Sequence, residues 1–203
     1  VPIGEQIGAF RNSQLALSLL ITIFGWTGFM TFYGYISPVS QDVAGLSVNA
    51  VTLLLVVVGA GLVIGNNLGG RAADSDLGRA LIGGIIVMIF SLVLVGFSTG
   101  TTWTFVAAAI LFGIASCANV PPMQMRVMRH SGRAPELAAT ANISAFNIAN
   151  ALGGIIGGYA VDHAAVGPGM VPFLAAVVPV IGLAIALVAE QKSPSFSKVK
   201  AAV

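Results

Sequence analysis

The chain has 203 residues, of which 57% are hydrophobic and only 8% are charged, whereas an ordinary soluble domain is roughly 25% charged. A net charge of +2 offers no basic surface for nucleic acid, which is therefore not an expected partner. Strand-type alternation is absent, and several apolar runs reach the about 20 residues that cross a bilayer as a helix. The sequence predicts an all-α membrane protein surrounded by lipid.

Six membrane-spanning helices are predicted, in a single bundle over residues 1–203. Their expected bounds are about 15–37, 47–69, 79–98, 103–126, 136–160 and 170–189. The polar segment 190–203 is expected to be a flexible cytoplasmic tail. Because the chain starts at Val1 without a methionine, and lacks the basic first region of a signal peptide, we interpret it as a fragment or a downstream half.

Lysine and arginine are confined to one side of the predicted bundle. The opposite loops, about 38–46, 99–102 and 161–169, contain neither residue. By the positive-inside rule, both termini face the cytoplasm. The nine basic residues are Arg11, Arg71, Arg79, Arg126, Arg129, Arg133, Lys192, Lys198 and Lys200.

Polar side chains are distributed unevenly among the predicted helices. The third and sixth carry almost none, whereas the other four each carry several hydroxyl or amide groups. The order is therefore two polar helices and one apolar helix, repeated once. This order predicts a three-plus-three internal repeat, and a repeat unit of three helices is inverted in the membrane.

Glycines recur every four residues in two of the predicted helices, and such a face lets a neighbouring backbone approach closely. The second helix carries Gly61, Gly65 and Gly69, and the fifth carries Gly153 and Gly157. These faces predict helix packing, either as plain packing or as sliding contacts against a missing half of the protein.

Eight side chains are candidates for binding a small-molecule substrate. In the fifth helix, Asn142, Phe146 and Asn150 are four residues apart, so one face presents amides around a ring. This face could bind a substrate, or the asparagines could form hydrogen bonds between helices. The rings of the first helix could line a pocket or anchor the helix at the membrane interface. The full set is Trp26, Phe29, Thr31, Tyr33, Asn119, Asn142, Phe146 and Asn150.

Motifs for catalysis, metals and cofactors are missing from the sequence. His130 and His163 both fall in predicted loops, Cys117 is the single cysteine, and there is no HExxH or P-loop sequence. No charged residue lies deep inside a predicted helix, so the chain shows no proton relay of its own. We therefore expect neither an enzyme nor a bound metal or cofactor.

Four stretches resemble the C-terminal half of a major facilitator superfamily transporter, closest to the drug:proton antiporter branch that includes sugar- and purine-efflux permeases. They are FYGYISPVSQDVAGLS at 32–47, GNNLGGRAADSDLGRAL at 65–81, PPMQMR at 121–126 and TANISAFNIANALGGIIGGYAVD at 140–162. The second is similar to the superfamily's cytoplasmic loop motif, GxLADRxGR, as it recurs between helices eight and nine. The last resembles the family's eleventh helix.

The match to the loop motif can be followed residue by residue. Ala72 replaces the motif's Leu, Ser75 replaces its usual Arg, and the turn is one residue longer. The matching residues are Gly70, Ala73, Asp74, Gly78 and Arg79. The resemblance implies that Gly70, Asp74, Gly78 and Arg79 form a conformational latch on the cytoplasmic side, which the missing arginine weakens or alters.

The resemblance also implies a function for the whole protein. It would be a twelve-helix secondary transporter of the bacterial inner membrane that works by alternating access, with this chain as helices seven to twelve. Its partners would be an N-terminal six-helix half, protons as the coupling ion, and a small organic molecule or drug that is exported. The alternative is a stand-alone six-helix membrane protein that assembles or scaffolds through its glycine faces and transports nothing.

Overall fold

The computed structural model describes residues 12–192, which contain helices and no strand. The principal helices of this range are α1 (Ser13–Tyr33), α2 (Val48–Ser75), α3 (Leu77–Phe97), α4 (Thr102–Cys117), α5 (Val120–Arg129), α6 (Pro135–Asp162) and α7 (Val171–Lys192). Short helical turns lie at Ile36–Pro38, Val39–Val43 and Pro168–Met170.

Five stretches of the described range are long and apolar enough to cross a membrane: α1, α2, α3, α4 with α5, and the stretch containing α7. The amide-rich α6 is not among them, although it is 28 residues long. Hydrogen bonds from Thr22 to Asn142 and from Tyr35 to Gly154 show that α6 runs parallel to α1 along most of its length. The prediction of an all-helical membrane protein is confirmed.

The fourth predicted span consists of two helices, because Pro121 and Pro122 have no N–H to continue the hydrogen-bond pattern. At the break, the backbone N–H of Asn119 bonds to the Ser116 carbonyl at 3.1 Å instead of continuing the α-helical pattern. The Asn119 side chain donates from Nδ2 to the Ala115 carbonyl at 2.9 Å. The side chain therefore satisfies a carbonyl that the backbone leaves open.

The second helix is longer than predicted. The prediction ended it at residue 69, but it continues to Ser75, because Ala73, beyond the first charged residue, is still buried. The chain breaks at Asp76, whose extended backbone separates α2 from α3. The Asp76 carboxylate accepts a hydrogen bond from the Arg79 backbone N–H at 3.1 Å and so caps α3.

The end of the last helix also differs from the prediction. Residues 190–192 belong to α7 instead of a flexible tail, and residues 193–203 lie outside the described part of the chain. Glu190 forms an ion pair with Arg126 of α5, which explains why α7 remains helical through Glu190.

The glycines of α2 pack against the backbone of α4. A Cβ added at Gly61 would lie 3.3 Å from the Ile110 carbonyl oxygen, and one at Gly65 would lie 2.8 Å from the Ile114 carbonyl carbon. At Gly69 the neighbour is the Ala118 backbone, at 2.7 Å from the added atom. Since the contacts advance by four residues on both helices, α2 and α4 are parallel, and their backbones are in close contact.

The glycines of α6 make the equivalent contact with α1. A Cβ at Gly153 would lie 2.8 Å from the Thr27 carbonyl oxygen, and one at Gly157 would lie 2.8 Å from that of Thr31. The second helix of each three-helix unit thus packs by glycine against the first helix of the other unit, as an inverted repeat requires. These glycine faces pack within the chain, so the interpretation that they slide against a missing half is wrong.

Candidate functional site

Four side chains of α1 and α6 form a cluster of rings around one amide, the aromatic–amide cluster: Trp26, Phe29, Phe146 and Asn150. The Trp26 indole Nε1 donates a hydrogen bond to Asn150 Oδ1 at 3.0 Å. The Trp26 ring stacks on Phe29 with centroids 4.4 Å apart and meets Phe146 edge-on at 5.3 Å. Trp26 is 8% exposed, whereas the other three are partly exposed. The cluster therefore has one buried anchor and an accessible side.

The stacking of rings extends along α1 beyond the cluster. Tyr33 stacks on Phe29 with centroids 4.9 Å apart, and Phe112 of α4 lies nearly parallel to Phe29 at 5.9 Å. Phe112 was missed by sequence reasoning, because a phenylalanine in an apolar helix carries no signal of its own. The rings form a ladder from Trp26 toward the end of the bundle opposite the arginines.

Both candidate asparagines of α6 form hydrogen bonds to α1. Asn142 is buried and its Oδ1 lies 2.8 Å from the Thr22 hydroxyl, which was not among the predicted site residues. Asn150 bonds to Trp26 in the cluster. The hydrogen bonds between helices, one of the two interpretations of these residues, are therefore present, and the partial exposure of Asn150 leaves it accessible as well.

Two other predicted residues lie away from the cluster. Thr31 is buried, donates to the Thr27 carbonyl at 2.9 Å, and faces the glycines of α6 in the tight α1/α6 contact. Asn119 is buried against Gly84 of α3, and its Oδ1 has no hydrogen-bond partner among the described residues. Neither residue is part of the aromatic–amide cluster.

A buried ion pair lies at the end of the bundle that carries the arginines. The Arg126 side chain is 3% exposed and pairs with Glu190, while its other terminal nitrogen donates to Gln14 Oε1 at 3.1 Å. These contacts join α5, α7 and α1. Sequence reasoning missed them, because Arg126 was placed at the end of the fourth predicted helix and Glu190, 64 residues further along the chain, in the flexible tail.

His130 closes the same end of the bundle, just beyond α5. Its backbone carbonyl accepts from Asn12 Nδ2 at 3.2 Å, and its Nδ1 lies 3.0 Å from the Arg126 carbonyl oxygen. Burial lowers the pKa of His130 below its usual 6.5. The neutral imidazole is therefore the form that this end of the bundle accommodates.

The predicted latch residues lie at the α2/α3 junction. Arg79 pairs with Asp76, at 3.5 Å between Nε and Oδ2, and not with Asp74. Asp74 is exposed on the last turns of α2, and Gly70 has open space beside it, whereas Gly78 is buried in α3. The junction thus carries one paired carboxylate and one that faces outward.

Comparison with known proteins agrees with the helical membrane architecture. Residues 2–202 match the family model described as Major Facilitator Superfamily. The chain is 35% identical to the inner membrane transport protein YdhP of Escherichia coli over 192 residues, which cover 95% of this chain and 49% of YdhP.

Other relatives match a smaller part of the chain. The chain is 34% identical to YfhI of Bacillus subtilis, an MFS-type transporter, over 76% of its own length and 39% of YfhI. It is 28% identical to the putative transporter AraJ of Escherichia coli, again over 76% of its length. The chain spans about half the length of YdhP, and a smaller share of YfhI and AraJ. It belongs to the major facilitator superfamily of membrane transporters.

Proposed function

We propose that the chain is the C-terminal half of a twelve-helix transporter that exports a small organic molecule or drug in exchange for protons by alternating access. The aromatic–amide cluster carries this proposal. It places partly exposed aromatic rings and an amide on one wall, and it contains no charged side chain. Such a wall suits an organic substrate with aromatic character better than an inorganic ion.

The proposed substrate-binding residues are those that the structure brings near this wall. Trp26, Phe29, Phe146 and Asn150 form it and Tyr33 extends it, while Asn142 lies eight residues before Asn150 in α6 and bonds to Thr22 of α1. Since the cluster contains no carboxylate, the proton-binding group of the proposed antiporter is expected in the other half.

Two observations support assignment of the chain to one half of a transporter. It covers 49% of YdhP, and its glycine contacts repeat between its two three-helix units. These contacts also oppose the scaffold alternative, because the glycine faces on which assembly would depend are already occupied within the chain. The resemblance of 65–81 to the loop between helices eight and nine favours the C-terminal half.

We propose the bacterial inner membrane as the location, with both termini in the cytoplasm. YdhP is an inner membrane protein by name, and the helix ends near Arg71, Arg79, Arg126 and Arg129 lie on one side of the bundle. On that side, exposed Asp74 is the latch group available to the other half, while Asp76 holds Arg79.

Transport by the full-length protein in everted membrane vesicles tests the proposal. Respiration should drive accumulation of the dye Hoechst 33342, and nigericin, which collapses the pH gradient, should abolish it. Asn150→Leu should abolish accumulation as well, and Asn67→Leu, at an exposed position of α2 remote from the cluster, is the matched control. Accumulation that is insensitive to nigericin would refute proton coupling.

The intact mass of the native polypeptide tests the assignment to one half. We expect about twice the mass of this chain, with six further helices upstream. A native chain that ends with these 203 residues would refute that part of the proposal.

A further inference from the structure

The orientation of the Asn150 amide is fixed by its partner. The oxygen and nitrogen of an asparagine side chain are otherwise interchangeable in a hydrogen-bond network. The Trp26 indole Nε1–H can only donate, so the group 3.0 Å from it must be the amide oxygen. Asn150 therefore presents its Nδ2 amine, with two N–H donors, away from Trp26. Asn142 is not fixed in this way, because the Thr22 hydroxyl can donate or accept.

The amide nitrogen Nδ2 of Asn150 is accessible and has no acceptor among the described residues. Asn150 is partly exposed, and no hydrogen bond from its Nδ2 is present within residues 12–192. Burying this amine without an acceptor would be unfavourable. An acceptor is therefore expected to complete the site when the accessible side of the cluster is covered.

The surroundings of the amine define the shape of the group that brings this acceptor. Trp26 and Phe29 are stacked, with 27° between their planes, and Phe29 and Tyr33 are inclined by only 16°. The faces of Phe29 are already covered by these two neighbours, so a ring that enters the site meets the exposed edges of the stack, and edge-to-face contact between aromatic rings is favourable. A ring that lays its face against these edges, beside the amide, can turn its own edge toward the N–H donors, where an in-plane lone pair can accept.

We propose that Asn150, held by Trp26, selects planar aromatic substrates that carry a hydrogen-bond acceptor in the ring plane, such as a ring nitrogen or a ring carbonyl. The inference rests on the proposed transport function, of which it names the substrate class. The other possible occupant is a polar side chain of the missing half, which would leave no preference for such substrates.

The test compares quinoline with naphthalene, which have the same shape and differ by one ring nitrogen. Binding to the purified full-length transporter is measured at neutral pH by equilibrium dialysis with the radiolabelled compounds, with detergent micelles alone as the partition control. We expect quinoline to bind about fivefold tighter after this correction, the factor given by one net hydrogen bond of about 1 kcal/mol.

Asn150→Asp is the decisive variant. The carboxylate can still accept from Trp26, but it replaces the amine with an acceptor, so the preference for quinoline should vanish or reverse. Trp26→Phe keeps a ring and lets the amide turn, so the preference should fall toward one. The matched control, Asn67→Asp, lies at an exposed position of α2 outside the cluster and should leave the preference unchanged.

Equal binding of the two compounds to the unaltered protein, binding of neither, or a preference that survives both variants would overturn the inference. Size-exclusion profiles establish that the variants are folded, and if Asn150→Asp is not, Trp26→Phe decides. Failure here is separable from failure of the proposed function. If nigericin abolishes dye accumulation but quinoline is not preferred, only the substrate class is refuted. If quinoline is preferred but dye accumulation does not respond to nigericin, only proton-coupled export is refuted.

Discussion

Replacing Gly65 with alanine should force α2 and α4 apart. The added Cβ would lie 2.8 Å from the Ile114 carbonyl carbon and closer still to its oxygen, whereas carbon atoms in contact are about 3.5–4.0 Å apart. The helices must therefore separate by about 1 Å, and overpacking of this kind typically costs about 1–3 kcal/mol. Alanine also favours the helix by about 1 kcal/mol relative to glycine.

Gly59→Ala in the same helix separates the two effects. A Cβ at Gly59 has no atom of the described chain within 4 Å, so only the gain in helix propensity applies. The difference between the two variants therefore isolates the overpacking, about 1–3 kcal/mol. Gly83→Ala, in equally open space on α3, is a second control, because Gly59 and Gly83 lie on different helices and a contact of one with the other half of the protein would not affect the other.

Thermal unfolding of the full-length protein in dodecyl maltoside, followed by circular dichroism, measures the effect. We expect Gly65→Ala to unfold at a lower temperature than the unaltered protein, and Gly59→Ala and Gly83→Ala at the same or a higher one. Equal unfolding temperatures for all three variants would refute the tight α2/α4 contact.

Three further predictions concern other contacts. Glu190→Gln leaves Arg126 buried without its counter-charge and should destabilise the protein by about 3 kcal/mol, measured by the same unfolding assay, and an unchanged stability would contradict the ion pair. Tyr35→Phe removes the 2.8 Å bond to the Gly154 carbonyl and should cost about 0.5–1.5 kcal/mol, again read from thermal unfolding. Because the pKa of His130 is lowered by folding, the unfolded chain binds the proton more readily, so stability should fall as pH drops from 6.5 toward the folded value. His130→Gln should flatten this fall, and an unchanged pH profile would argue against His130 as its source.

The helices were predictable because the membrane imposes a simple rule. Apolar runs of the right length must be helical. The break in the fourth span falls at Pro121 and Pro122, a residue type that interrupts helices. The end of α2 was not predictable in the same way. Charged residues after Gly69 suggested an exit from the membrane, but Ala73 is still buried, so tertiary packing continues the helix past the charges.

The site was predictable in part, for a similar reason. Periodicity placed Asn142, Phe146 and Asn150 on one face of a helix, but it could not show which residues of other helices this face meets. The partnership of Trp26 with Asn150 joins residues 124 positions apart, and the Phe112 ring comes from a third helix. Such pairings depend on how the helices pack, which a pattern within a single helix does not contain.

The contact between Asn119 and Gly84 bears on how this sequence can diverge. A Cβ at position 84 would lie 2.5 Å from Asn119 Oδ1, and Asn119 itself cannot move away without releasing the Ala115 carbonyl at the break in the fourth span. A larger residue at position 84 is therefore penalised while Asn119 is present, and a smaller side chain at 119 removes this clash at the cost of the bond to the Ala115 carbonyl. We expect the two positions to covary among homologous sequences, with larger side chains at 84 only where 119 carries a smaller one.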